Sequence, residues 1–244
     1  VLCEKPLAVC EEDALAMVQA AERTGVLLGV AFCKRFSNAI HKVRDIVAGG
    51  GIERPVMYRF ATGWEIRFKP WIMDRRLGGG PIIDLACHYF DQWRFIFESE
   101  PVRVKASGMT FSIGAPELLG VEPEMDTATI LVEHDSGDVG VISVSWGLPR
   151  GTRSGSLEDV LGPAGVISLE GLDKLTLVRS GGEEVFEGLG NDMYLDQTRA
   201  FARAVTEGAP LSTAGADGLT ALRVSLAAIE SARSGVAVEL EGQG

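Results

Sequence analysis

The feature that most constrains this chain is a run of short apolar stretches, each ended by a turn signal, through its second half. Thr127–Glu133 and Val139–Trp146 flank Asp135-Ser136-Gly137-Asp138. Ser156–Leu161 and Gly165–Leu169 flank Gly162-Pro163-Ala164, and Lys174–Arg179 and Glu183–Glu187 flank Ser180-Gly181-Gly182. Glycine between two strand-forming runs is a hairpin signal, because tight hairpin turns need backbone angles that glycine adopts without strain. With Val56–Thr62 and Val102–Thr110, these segments predict a large, mainly antiparallel sheet. Such a sheet needs its open face covered, and pairing with the sheet of another subunit is one way to do so.

The first residues read differently. Val1-Leu2-Cys3 has the character of a strand end, Glu11–Arg23 of an amphipathic helix closed by Gly25, and Val26–Cys33 of an unbroken apolar strand. An apolar run without alternation suits a parallel strand buried on both faces. Strand, helix, strand is the signature of a doubly wound α/β unit, so the first 33 residues read as the tail of such a domain. Glu4-Lys5-Pro6 and Lys34-Arg35-Phe36 then follow the carboxyl ends of two strands, where open α/β sheets place their ligands. Asn38–Val47, Met193–Glu207 and Asp217–Arg233 read as helices, and 63–77, with Trp64, Arg67, Trp71, Arg75 and Arg76, as irregular.

Between these regions, Gly78-Gly79-Gly80 leads into Pro81, a residue suited to the first turn of a helix. Ile82, Leu85, Ala86, Tyr89, Phe90, Trp93, Ile96 and Phe97 continue at three- and four-residue intervals, predicting one helix with an apolar face. Asp84 and His88, four apart, would share a face of it. A carboxylate beside an imidazole is suited to proton transfer; a helix-surface pair or a hydrogen-bonded core histidine is the alternative. His41 and His134 are assigned no role, and Cys87 is read as core.

Composition excludes some functions. Lysine plus arginine total 23 against 34 acidic residues, a net charge of −11, the wrong sign for a nucleic-acid or anionic-membrane partner. No apolar run approaches a bilayer span and no signal peptide is evident. Cys3, Cys10, Cys33 and Cys87 form no zinc-like spacing with histidine, so no metal is expected; they read as reduced thiols of a cytoplasmic protein.

Glu4-Lys5-Pro6, the triple-glycine segment with Asp84 and His88, and the tail from Asp217-Gly218-Leu219 to Glu230-Ser231-Ala232-Arg233-Ser234-Gly235 together resemble the Gfo/Idh/MocA group of NAD(P)-dependent oxidoreductases (glucose-fructose oxidoreductase, inositol 2-dehydrogenase and rhizopine-catabolism proteins). The resemblance runs the length of the chain. It implies an α/β protein: the end of a Rossmann domain (1–33), then a substrate-binding and oligomerisation domain (34–244) with a mixed sheet and helices on one face. The glycine-rich dinucleotide fingerprint does not occur in the sequence, so the chain is expected to be a fragment that binds no cofactor by itself.

The resemblance further implies NAD or NADP as cofactor and a sugar, polyol or similar small molecule as substrate, with a homodimer or homotetramer formed through the sheet. It makes Lys5, Asp84 and His88 catalytic, with His88 as acid/base. Glu4, Lys5, Pro6 and Arg35 would face the cofactor, and Lys5, Arg35, Trp71, Arg75, Asp84 and His88 the substrate. An NAD-dependent glycosidase of the same fold, or a non-catalytic binding protein, is the alternative.

Overall fold

The computed structural model describes residues 1–66 and 69–240; Arg67 lies outside the described residues. The chain opens with β1 (Leu2–Cys3), α1 (Glu11–Thr24) and β2 (Gly29–Val30). β1 and β2 pair in parallel, Leu2 opposite Gly29 and Cys3 opposite Val30. The long second strand expected over 26–33 is therefore much shorter. Val26 and Leu27 are 49% and 40% exposed, and Cys33–Phe36 turns into a 3₁₀ helix. The second partner of this segment is instead the approach to the last helix: the Val30 amide donates to Thr213 O, and the Gly215 amide to Leu28 O.

α2 (Asn38–Ala48) precedes β3 (Met57–Glu65), a short α3 (Pro70–Met73), α4 (Gly80–Asp84) and α5 (Ala86–Phe97). The sheet strands follow: β4 (Pro101–Met109), β5 (Thr127–His134), β6 (Val139–Leu148), β7 (Leu157–Gly162), β8 (Gly165–Glu170), β9 (Lys174–Arg179) and β10 (Gly182–Phe186). α6 (Met193–Glu207), α7 (Gly215–Ser234) and β11 (Val238–Glu239) close the chain. Among the described residues, nine strands form one sheet in the order β10-β9-β8-β7-β3-β6-β5-β4-β11. The expected hairpins β5–β6, β7–β8 and β9–β10 all form, antiparallel. β3 and β6 make the parallel pair, with Met57 opposite Val139.

The strands alternate as a sheet covered on one face must. In β5, Ala128, Ile130, Val132 and His134 are buried while Thr127, Thr129, Leu131 and Glu133 are not. The buried row meets α5 and α7, which contribute Tyr89, Phe90, Trp93, Phe97, Leu222 and Val224, and the same core runs on to Leu7, Ala14 and Val30 beside β1 and β2.

Candidate active site

The helix expected to run unbroken from Pro81 to Phe97 is two helices, divided at Leu85. The Leu85 amide still bonds to Pro81 O, but the His88 amide reaches back only to Leu85 O. The glycines ahead of α4 allow its close seating. Gly79 and Gly80 have positive φ, and a Cβ at Gly78 would overlap the Ile72 backbone.

The division separates Asp84 from His88, so the paired arrangement expected on a single helix is not what forms. Asp84 turns to Lys5. The Lys5 ammonium donates to the Asp84 carbonyl at 2.7 Å and lies 3.1 Å from its Oδ1, the side chains being 17% and 16% exposed. Cys87 Sγ donates to the same carbonyl at 3.4 Å. Burial pushes the Cys87 thiol up to about 12, so it is a core group, as expected. Lys5 precedes Pro6 through a cis peptide bond.

His88 sits in the first turn of α5, its ring edge-on to Phe32 with centroids 6.2 Å apart. Its Nδ1 is enclosed without a hydrogen-bond partner. Burial, then Lys5, then Lys34 hold its pKa well below the usual histidine value, because each disfavours a second positive charge there. At neutral pH the ring is uncharged and able to accept a proton.

Lys34, which the sequence places at the ligand edge, was given no role there. Its ammonium lies 3.6 Å from the centroid of Tyr89, the residue after His88, and 3.9 Å from Glu158 Oε1 on β7. Burial lowers its pKa, with Glu158 opposing. Glu158 also accepts from the Tyr58 hydroxyl at 2.5 Å, which in turn accepts from Gln92 at 2.6 Å.

Two of the other expected contacts, Arg35 and Arg75, have carboxylate partners of their own. Arg35 makes a two-pronged pair with Asp91 at 2.9 and 2.6 Å and also reaches Asp217 at 3.1 Å. Asp217 further pairs with Arg94. Burial raises Asp91 to about 6 against the pull of Arg35. Arg35 therefore ties the 33–36 turn to α5 and α7, and the structure does not bring it to the Lys5–His88 group. Arg75 pairs with Glu122 at 2.8 Å, both well exposed. Trp71 is 50% exposed on α3. Glu4 is exposed and Pro6 partly buried beside Lys5. Among the described residues no cluster of histidine, cysteine or carboxylates is placed to hold a metal ion, and no helix is long and apolar enough to cross a membrane.

Lys5, Asp84 and His88 thus offer a cation that can steady a developing alkoxide, a carboxylate that can accept from a hydroxyl, and an uncharged imidazole that can take a proton. They have no electron acceptor among them.

The Gfo/Idh/MocA C-terminal domain family matches residues 40–167. The chain is 29% identical to myo-inositol 2-dehydrogenase of Thermotoga maritima, aligning 99% of its own length and 72% of the relative's. It is 31% identical to 1,5-anhydro-D-fructose reductase of Ensifer adhaerens, with the same coverage of each. Among solved structures, an NAD-binding oxidoreductase from Klebsiella pneumoniae superposes with a TM-score of 0.83 at 26% identity, over all of this chain and 74% of that one. An oxidoreductase from Agrobacterium radiobacter, in complex with NAD+, L-tartaric acid and magnesium, gives 0.77 at 26%, over 98% of this chain and 72% of that one.

Proposed function

Because this chain belongs to the Gfo/Idh/MocA family of oxidoreductases, we propose that it oxidises a secondary hydroxyl of a sugar or polyol, with Lys5, Asp84 and His88 as its catalytic residues. The observation that carries the assignment is the Lys5–Asp84 pair beside an uncharged, partly enclosed His88. Asp84 accepts a hydrogen bond from the substrate and orients it. Lys5 stabilises the alkoxide as it develops. His88 removes the hydroxyl proton, and its low pKa makes the resulting imidazolium acid enough to pass that proton on.

A nicotinamide cofactor, NAD or NADP, suits this donor set, because these residues can hold an oxygen and move a proton but cannot accept a hydride. When bound it would supply that hydride acceptor, with Glu4, Lys5 and Pro6 at the end of β1 on its side of the substrate. On this reading residues 1–33 belong to the nucleotide side and 34–244 to the substrate side. The four free thiols accord with a reducing compartment such as the cytoplasm. The half-exposed face of the nine-stranded sheet is the surface on which a second copy of the chain docks.

The test is turnover on a polyol panel by the protein carrying its dinucleotide-binding domain, following NAD(P)H and sugar release together. His88→Ala is expected to lower turnover by about 10²–10⁴-fold, the usual contribution of a positioned acid/base, with Lys5→Ala also severely impaired. Near-normal activity of His88→Ala at pH 7 would remove it from the role. Sugar release without net NAD(P)H formation would favour a glycosidase.

A further inference from the structure

Two lysines lie beside His88, similarly buried and differently satisfied. Lys5 is 17% exposed and donates to Asp84 at 2.7 Å. Lys34 is 16% exposed, yet its nearest carboxylate oxygen, Glu158 Oε1, is 3.9 Å away. That separation attracts electrostatically but lies beyond hydrogen-bond range, and the same oxygen accepts from Tyr58. The Tyr89 ring gives the ammonium a cation–π seat and no acceptor oxygen. Among the described residues, no oxygen accepts a hydrogen bond from Lys34 Nζ.

An ammonium that no protein oxygen accepts from is free to donate to a ligand, and such a group next to an acid/base is a functional signal. Its ammonium sits 3.6 Å from the ring centroid of Tyr89, the residue after His88, and its charge disfavours protonation of His88. Each lysine is accompanied by a carboxylate, Asp84 for Lys5 and Glu158 for Lys34, so the two positive charges are already matched. The acceptor that best completes Lys34 is therefore an uncharged oxygen.

We infer that Lys34 is a specificity-determining residue of the proposed polyol site: its ammonium donates to a substrate hydroxyl other than the one that reacts. This rests on the reaction proposed above. It selects uncharged polyhydroxy compounds over sugar acids and sugar phosphates, whose added charge would find no unmatched cation.

The experiment is calorimetric titration of the wild-type protein and of Lys34→Met and Lys34→Arg with myo-inositol, D-xylose and sorbitol. Each parent is followed by deoxy analogues lacking one hydroxyl, and D-glucuronate serves as the charged comparison. The expected result is one non-reacting hydroxyl whose removal weakens wild-type binding roughly ten- to hundredfold, the range for a hydrogen bond to a charged group. Lys34→Met should weaken the parent by a similar factor and no longer distinguish that analogue, while Lys34→Arg retains part of the discrimination.

Unchanged parent binding and unchanged discrimination in Lys34→Met would overturn the inference and leave the proposed reaction standing. D-Glucuronate binding tenfold tighter than the neutral parents would overturn the choice of an uncharged acceptor. Failure of the wild type, with its dinucleotide-binding domain and cofactor present, to bind or turn over any polyol would overturn the reaction itself, and this inference with it. If Lys34→Met does not fold, as judged by circular dichroism, the deoxy series on the wild type alone decides: with no non-reacting hydroxyl required, Lys34 has no such role.

Discussion

Lys34 and Arg35 are adjacent cations with opposite fates. Both stand at the ligand edge by sequence, but Arg35 meets Asp91 and Asp217, while Lys34 meets a ring and a more distant carboxylate. The sequence places both at the right edge. It cannot reveal which is neutralised by partners 56 and 182 residues away. Lys5 and Asp84 were singled out from short motifs, Glu4-Lys5-Pro6 and the glycine-led segment before Asp84, and the structure pairs them. Histidine burial was less legible. His134 is 3% exposed, its Nδ1 3.1 Å from Ser99 O, and burial lowers its pKa from 6.5 to about 4. The folded state resists protonation that the unfolded chain accepts. Its contribution is therefore complete above pH 6.5 and lost as pH falls toward 4, up to roughly 3 kcal/mol. In urea titrations, His134→Gln should flatten that part of the stability profile. An identical loss between pH 7 and 4.5 in wild type and variant would rule out His134 as its source.

At the scale of elements, hairpins were the most readable features, because a glycine turn and two alternating strands are specified within about twenty residues. The break at Leu85 was not readable. Apolar spacing is continuous across it, and only the contact of Asp84 with Lys5, 79 residues away, marks the place where one helix direction yields to another. The shortening of β2 is similar: an apolar run predicts a buried strand, but its length depends on neighbours, and β1 pairs with only two of its residues. Packing of α5 on the sheet makes a sharper claim. Gly140 on β6 lies beneath the Trp93 ring, and a Cβ there would overlap it, while Trp93 is wholly buried. Gly140→Ala should lower stability by about 1–3 kcal/mol, the usual penalty of overpacking, and Trp93→Leu in the same chain should recover part of it. A Gly140→Ala melting temperature equal to wild type would show that α5 shifts freely on the sheet.

For the whole molecule, the uncovered face of the sheet presents ordered rows: Arg59, Val141, Leu131 and Lys105 side by side, and next to them Ala61, Ser143, Thr129 and Ser107. Small, hydroxyl-bearing and apolar residues at its centre, with charges toward the rim, form a surface suited to meeting its own copy across a two-fold axis. Leu131→Glu should shift the protein from dimer or tetramer to monomer in sedimentation velocity, with the sheet's circular dichroism unchanged. A wild type that sediments as a monomer at tens of micromolar would remove this part of the proposal.

The parallel pairing of β3 with β6 also bears on how the chain is assembled. β3 lies between β7 and β6, and both neighbours come from residues 139–162, long after Glu65. During synthesis from the N-terminus, β3 emerges with neither edge paired and stays so until more than seventy further residues have followed. The central strand of the finished sheet is therefore the one that waits longest for its first partner, and through that interval it is the segment most in need of protection from pairing with other chains.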